Sequence, residues 1–130
     1  MFNTFTDAFE VLLYNLKYRN SKEPRVQNTL NMIVNLRVPR ASRKSSFIHQ
    51  NITLKDILVV QNQKEADNAR RIIGDKIRID TPTTLLKYNF LINPVPQVIF
   101  FDEVNPELFS DELIYAILDK GSKIFALRSI

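Results

Sequence analysis

Two apolar patterns alternate along this chain. Apolar residues three or four positions apart, which are typical of amphipathic helices, occupy residues 2–18, 63–73 and 107–119. Short apolar runs, which predict buried strands, occupy residues 30–38, 56–61, 76–80, 97–101 and 122–127. A short helix is expected at residues 45–50, and a helical turn with a loop at residues 85–96.

This alternation predicts the fold class. Strands that are apolar on both faces, separated by helices, are typical of a parallel sheet covered on both sides. The expected fold is an α/β three-layer sandwich around a mainly parallel five-stranded sheet. The 130 residues fit a single domain, with residues 1–25 forming an N-terminal helix and loop and residues 30–130 forming the core. The carboxyl ends of the strands should share one rim, where such sheets bind ligands.

The first helix carries six apolar residues at helical spacing. They are Phe2, Phe5, Phe9, Leu12, Leu13 and Leu16. This face is expected to pack on the sheet. If it were exposed instead, it would serve as a docking helix for a partner protein.

Composition excludes several kinds of chemistry. The chain has no cysteine, which excludes disulfides. It has a single histidine, His49, so it lacks the set of Cys and His ligands typical of a zinc site. No apolar run is long enough to cross a bilayer, and the amino terminus lacks the pattern of a signal peptide. We therefore expect no membrane association and a cytoplasmic location.

Charge is distributed unevenly along the chain. The net charge is +4, with basic side chains dominating residues 1–50 and acidic ones dominating residues 95–120. Such polarity suits an anionic ligand, such as a phosphate chain or a nucleic acid. It equally suits attraction between the two halves of one domain.

The loop after the first strand has the spacing of a phosphate-binding loop without its glycines. In VPRASRKSS, residues 38–46, Lys44 and Ser45 occupy the lysine and hydroxyl positions of G-x-x-x-x-G-K-[ST]. Val38 and Arg43 then occupy the two glycine positions. A basic turn without nucleotide chemistry is the alternative.

A second loop carries paired acids at the end of a buried strand. VIFF is followed by Asp102 and Glu103, and two carboxylates are costly there unless a cation or polar groups receive them. Magnesium is such a cation in phosphoryl-transfer sites. Alternatively, Asp102 begins a turn and Glu103 is solvated.

Taken in order, these segments resemble the ATPase core of viral large terminase subunits and helicase-like motors. VPRASRKSS resembles their phosphate loop, and VIFFDEV resembles their Walker B strand. DILVVQNQKEADNARRII resembles their second strand and helix, and RIDTPTTLL resembles the next strand and turn. KGSKIFALRSI resembles the following strand, whose tip carries a small polar coupling motif. The resemblance covers residues 30–130 and implies a P-loop fold of the additional-strand type.

The resemblance also implies roles for individual residues. Lys44 would contact the β- and γ-phosphates, Ser45 and Asp102 would hold Mg²⁺, and Glu103 would be the catalytic residue that orients water. The implied nucleotide-binding residues are Pro39, Arg40, Ser42, Arg43, Lys44, Ser45 and Ser46, with Arg40 also a sensor. The implied cofactors, in an active protein, are ATP and Mg²⁺. An arginine finger would come from a second copy or a partner protein. The implied location is the cytoplasm or, for a viral protein, the host cytoplasm.

Arg43 departs from this family pattern. A non-glycine residue at this position pays about 1–2 kcal/mol for a left-handed backbone angle, and its side chain should crowd the β-phosphate. We expect weak or absent ATP hydrolysis.

Two other functions fit the same fold. The first is a non-enzymatic module that binds nucleic acid or protein, with Arg37, Arg40 and Arg43 contacting nucleic-acid phosphates. The second is a receiver-like regulator, which ranks last because Val38 and Pro39 supply no carboxylate at the first strand's tip.

Overall fold

The fold alternates strands and helices along the whole described chain. The structure, a computed structural model, describes residue 9 and residues 33–39, 43–87 and 95–130. The strands are β1 (Ile33–Val38), β2 (Ile57–Val60), β3 (Arg78–Asp80), β4 (Val98–Asp102) and β5 (Lys123–Ser129). The helices are α1 (Lys44–Asn51), α2 (Gln63–Ile73), α3 (Pro82–Lys87) and α4 (Asp111–Asp119), with a 3₁₀ turn at Pro106–Leu108.

The five strands form one sheet in the order β1-β5-β4-β2-β3. Every neighbouring pair is parallel, so the carboxyl ends of all five strands lie at one edge. The α/β fold class and the five-stranded sheet are confirmed, and the sheet is wholly parallel. Strand β5, the last of the described strands, lies between β1 and β4, so it separates the strands that precede the two candidate loops.

Apolar side chains cover both faces of the sheet. On the first face, α1, α2 and Phe9 pack over a cluster that includes Leu58, Phe100 and Phe125. On the second face, α4 packs over a cluster that includes Val59, Phe101 and Ala126. Successive strand residues point to opposite faces, which is why runs such as VIFF at the core of β4 are apolar throughout.

Phe9 is the one described residue of the predicted N-terminal helix. It is helical and buried, and its ring packs 5.4 Å from the ring of Phe100 and 5.3 Å from that of Phe125, between centroids. At this residue the face packs on the sheet as expected. Residues 2–8 and 10–18 lie outside the described part of the chain.

Local signals fix where the helices begin and end. The side chain of Asn62 accepts a hydrogen bond from the Glu65 amide at the start of α2, and Gly74 ends that helix with a φ of 88°. Ser110 caps α4 in the same way, so the helix predicted at residues 107–119 divides into the 3₁₀ turn and α4. Pro82 begins α3 inside the segment RIDTPTTLL, where a strand and a turn were expected. The first position of a helix suits proline because its fixed φ is already helical.

The observed bounds of β3 and β5 differ from the predicted ones. β3 is shorter than residues 76–80, and β5 continues past residue 127 to Ser129. The extension arises because β5 is paired with β1 from Ile124 to its last residue, with Val38 opposite Ser129. It brings Ser129 to the carboxyl edge of the sheet.

At the opposite edge, the buried carboxylate of Asp56 joins the beginnings of two strands. One oxygen accepts bonds from the amide and hydroxyl of Thr53, at 2.8 and 2.9 Å, and the other accepts from the Val98 amide at 3.1 Å. Burial raises the pKa of Asp56, against the opposing effect of these bonds. Asp56 therefore ties the chain entering β2 to the first residue of β4.

None of the helices in the described ranges has the length and apolar character needed to span a bilayer.

Candidate functional site

The two candidate loops meet at the carboxyl edge of the sheet. Helix α1 begins at Lys44, shortly after β1, and β4 ends at Asp102. The amine of Lys44 lies 2.8 Å from a carboxylate oxygen of Glu103 and 3.6 Å from one of Asp102. The hydroxyl of Ser45 donates to the other oxygen of Asp102 at 2.6 Å. Segments about sixty residues apart in the chain thus form one cluster, which we call the Lys44 cluster: Lys44, Ser45, Asp102 and Glu103.

Glu103 is held by several partners. The backbone amide of Ser129 donates to its Oε1 at 2.9 Å, and the Ser129 hydroxyl donates to the same oxygen. The Glu103 backbone is fixed as well, because its amide donates to the Leu127 carbonyl at 2.9 Å and its carbonyl accepts from the Gln61 side chain at 3.3 Å. The tips of β2, β4 and β5 therefore position this carboxylate together.

The charges of Lys44 and Glu103 stabilise each other. Burial opposes the charged form of Lys44, but the hydrogen bond to Glu103 and the charges of Asp102 and Glu103 outweigh it, and the pKa of Lys44 is raised. Burial likewise acts to raise the pKa of Glu103, but its bonds to Lys44 and Ser129 outweigh that effect and lower the pKa. Both groups are therefore ionised at neutral pH.

Asp102 has an oxygen that lacks a donor. Its Oδ1 is buried, and no hydrogen-bond partner for it occurs among the described residues. The amine of Lys44, at 3.6 Å, is close enough for charge attraction but too distant for a hydrogen bond. A buried carboxylate oxygen in this state is suited to receiving a cation.

This donor set fits magnesium better than a metal that needs a full protein cage. Within the described ranges no group of three or more His, Cys, Asp or Glu side chains is placed to hold a metal ion. Magnesium needs only one or two carboxylates, with water and phosphate oxygens completing its shell. Ser45 and Asp102, already in contact, supply one hydroxyl and one carboxylate.

Two residues of the site have unusual backbone conformations. Among the described residues other than glycine, Arg43 and Glu103 are the ones with positive φ, each at 63°. Arg43 immediately precedes α1, and no side chain of a described residue caps that helix. The first amides of α1 therefore lack a side-chain acceptor among the described residues, and free amides at a helix N-terminus are suited to receiving anions.

The remaining predicted residues lie around this cluster or outside the described ranges. Pro39, Arg43 and Ser46 are exposed in the loop and first turn of α1, and Arg37 is exposed near the end of β1. Arg40 and Ser42 lie outside the described part of the chain. The structure thus brings together Lys44, Ser45, Asp102 and Glu103, and it leaves Arg37 and Arg43 at the surface.

Sequence reasoning missed three residues beside the cluster. Ser129 and Gln61 reach Glu103 because of the order of the strands in the sheet. The one signal in the sequence was that Gln61 comes directly after a predicted strand. His49 lies one helical turn after Ser45. Burial lowers the pKa of His49, and the charge of Asp102 acts in the opposite direction.

Comparison of the chain with protein-family models, with curated proteins and with solved structures found no match.

Proposed function

We propose that this chain is a nucleotide-binding domain of the P-loop type, related to the motors of DNA packaging and helicases, with weak or no hydrolysis of ATP. The observation that carries the proposal is the contact of Lys44 with both Asp102 and Glu103 at the carboxyl edge of a parallel sheet. The position of β5 between β1 and β4 also supports the additional-strand type.

Lys44 has the position and charge needed for binding phosphate. In the described arrangement its amine is neutralised by Glu103 and Asp102. An incoming triphosphate would offer a stronger array of negative oxygens, and Lys44 would turn from the carboxylates towards it. The uncapped amides at the start of α1 would bind the same oxygens.

Ser45 and Asp102 would hold Mg²⁺, the second ligand of this proposal. When bound, Mg²⁺ would neutralise phosphate charge during phosphoryl transfer. Asp102 contributes the carboxylate and its oxygen without a donor, and Ser45 contributes a hydroxyl 2.6 Å from the other oxygen.

Glu103 is the candidate for orienting the attacking water. Its Oε1 is occupied by Lys44 and by Ser129, so release of Lys44 to the nucleotide would leave the carboxylate of Glu103 held by Ser129. Arg43 opposes fast hydrolysis, because its Cβ and side chain stand where a glycine would let the backbone approach phosphate. Electrostatic catalysis depends strongly on such placement.

Completion of an active site would need a further cation. Within the described ranges, Lys44 is the cation that forms ion pairs with Asp102 and Glu103. A second copy or a partner protein would supply an arginine finger if hydrolysis occurs.

Calorimetric titration with ATP, with and without Mg²⁺, tests the proposal. We expect binding that Mg²⁺ strengthens, and thermal unfolding at higher temperature when nucleotide is present, because a ligand at 100 times its Kd adds about 2.7 kcal/mol of stability. Lys44→Ala should lose both effects. Lys64→Ala, which removes an exposed lysine of α2, is the matched control and should retain them.

The proposal fails if ATP gives neither heat nor thermal protection with Mg²⁺ present. It also fails if Lys44→Ala and Lys64→Ala bind ATP equally well, because binding would then lie elsewhere.

A further inference from the structure

Two arginines lie side by side on the second face of the sheet, opposite the face on which α1 packs. Arg37 of β1 and Arg128 of β5 are direct partners in the parallel register. Residues paired in this way point to the same face. Ile33 of β1 and Ala126 of β5 pack on the α4 side of the sheet. Arg37 follows Ile33, and Arg128 follows Ala126, by an even number of residues, so both arginines lie on that side.

The orientation of Arg128 is fixed by a neighbour. Its Nε donates to the side-chain oxygen of Asn35 at 3.2 Å. Asn35 also lies on the second face, two residues before Arg37. This bond engages one of the five guanidinium donors, and the terminal nitrogens remain as a fork for a further acceptor.

The pair lacks a neutralising carboxylate in the described part of the chain. The ion pairs found there involve Lys44, Arg70 and Arg78, and neither Arg37 nor Arg128 is among their members. Arg37 is exposed and Arg128 is half-buried. Like charges side by side on neighbouring strands are destabilising, so this arrangement favours a ligand that brings negative charge.

We propose that Arg37 and Arg128, with Asn35 orienting the second, form a binding surface for the phosphate backbone of a nucleic acid. Each guanidinium can offer paired N–H donors to phosphate oxygens. Phosphates repeat along a nucleic-acid backbone, so neighbouring phosphates could engage the two arginines on adjacent strands. Sequence reasoning assigned nucleic-acid contacts to Arg37, Arg40 and Arg43. The surface proposed here retains Arg37 and pairs it with Arg128 of β5, which that reasoning did not include.

Fluorescence anisotropy with labelled single-stranded and duplex oligonucleotides, titrated between about 50 and 200 mM salt, tests this proposal. Arg37→Gln is expected to weaken binding about tenfold at low salt, as loss of a charge-assisted hydrogen bond implies. It should also reduce the slope of log affinity against log salt by about 0.7–0.9, the value for one phosphate contact. Arg128→Gln should act alike, and comparison of the two oligonucleotides identifies the preferred form.

Matched variants separate this surface from general charge. Arg71→Gln removes an exposed arginine from α2, on the other side of the sheet, and should change affinity less than about threefold because distant charges are screened. Asn35→Ala leaves both arginines charged and should weaken binding through loss of orientation alone. Each variant is checked by thermal unfolding, and Arg37, being exposed, can be replaced without disturbing the core.

Several results would overturn the proposal. They are absence of oligonucleotide binding, an equal loss in Arg71→Gln, and an unchanged salt slope in Arg37→Gln. Stronger binding of an acidic peptide than of either oligonucleotide would assign the surface to a protein partner instead. Lys44→Ala should abolish ATP binding and retain oligonucleotide binding, so failure of the nucleotide proposal and failure of this one are distinguishable.

Discussion

Arg43 and Glu103 show how single residues carry strain at the Lys44 cluster. Both hold the left-handed conformation, which costs a non-glycine residue about 1–2 kcal/mol. Arg43 precedes the helix that presents Lys44, and Glu103 carries the carboxylate that Lys44 contacts. The strain is thus located at the two backbone positions that set the geometry of the cluster.

Arg43→Gly tests the effect of the missing glycine. Glycine adopts this φ without strain and leaves room beside the phosphates, so we expect tighter ATP binding and a higher rate of hydrolysis. Stability should change by less than about 1 kcal/mol, because relief of strain is offset by the greater freedom of the unfolded chain. Steady-state hydrolysis and denaturant unfolding measure the two effects.

The matched variant is Arg43→Ala, which removes the guanidinium but retains Cβ. It should raise hydrolysis less than Arg43→Gly does, because the Cβ remains beside the phosphates and the left-handed backbone angle still carries its strain. An equal gain in both variants would assign the inhibition to the arginine side chain, contrary to the backbone argument.

At the scale of elements, strand ends carry polar groups at both edges of the sheet. The carboxyl edge holds the Lys44 cluster, and the opposite edge holds Asp56 with its three donors. The second set joins α1's following loop to β2 and β4, the latter being the strand that ends in Asp102. Asp56 therefore holds the beginning of β4 in place, at the edge of the sheet opposite the Lys44 cluster.

Asp56→Ala is expected to destabilise the fold by about 2–3 kcal/mol, since it leaves buried donors unsatisfied. Asp56→Asn should destabilise the fold less than Asp56→Ala, because the amide keeps one acceptor oxygen. It should still be destabilising, because the NH₂ group would face a donor. Urea unfolding measures both. Asp75→Ala, at an exposed position, is the control and should stay within about 0.5 kcal/mol of the parent; an equal loss there would remove the structural role given to Asp56.

At the scale of the whole molecule, stability near neutral pH depends on one histidine. His49 is the only histidine in the chain, and burial lowers its pKa. The unfolded state therefore binds a proton more readily than the folded state, and stability rises with pH across the interval between the folded and unfolded pKa values.

We expect the free energy of unfolding to fall as pH decreases below about 6.5, the ordinary histidine pKa. The total loss is about 1.4 kcal/mol for each unit by which folding lowers that pKa. His49→Gln should flatten the curve in this range. Asp56 titrates in both proteins, so its contribution cancels in the difference between them; a curve of the same slope in His49→Gln would contradict the assignment.

The sequence predicted much of this molecule because its strands are buried on both faces. Runs such as VIFF cannot be placed elsewhere, and in a parallel sheet their carboxyl ends must share an edge, which is why Lys44 and Asp102 could be expected to meet. Ser129 could not be anticipated in the same way, since its contact with Glu103 depends on β5 pairing with β1 up to Val38. The pairing of Arg37 with Arg128 likewise depends on register, which one strand alone does not encode.

The pairing of β1 with β5 has a consequence for how this protein is made. Among the described strands, β5 is the one hydrogen-bonded to β1, so on the ribosome β1 emerges long before this neighbour has been translated. During that interval the nascent chain cannot complete its sheet, and Lys44 cannot be held against a finished β4–β5 edge. Maturation of the cluster is therefore a late event in biosynthesis, and a ribosome stalled before β5 would carry a chain in which Ser129 is not yet present to hold Glu103.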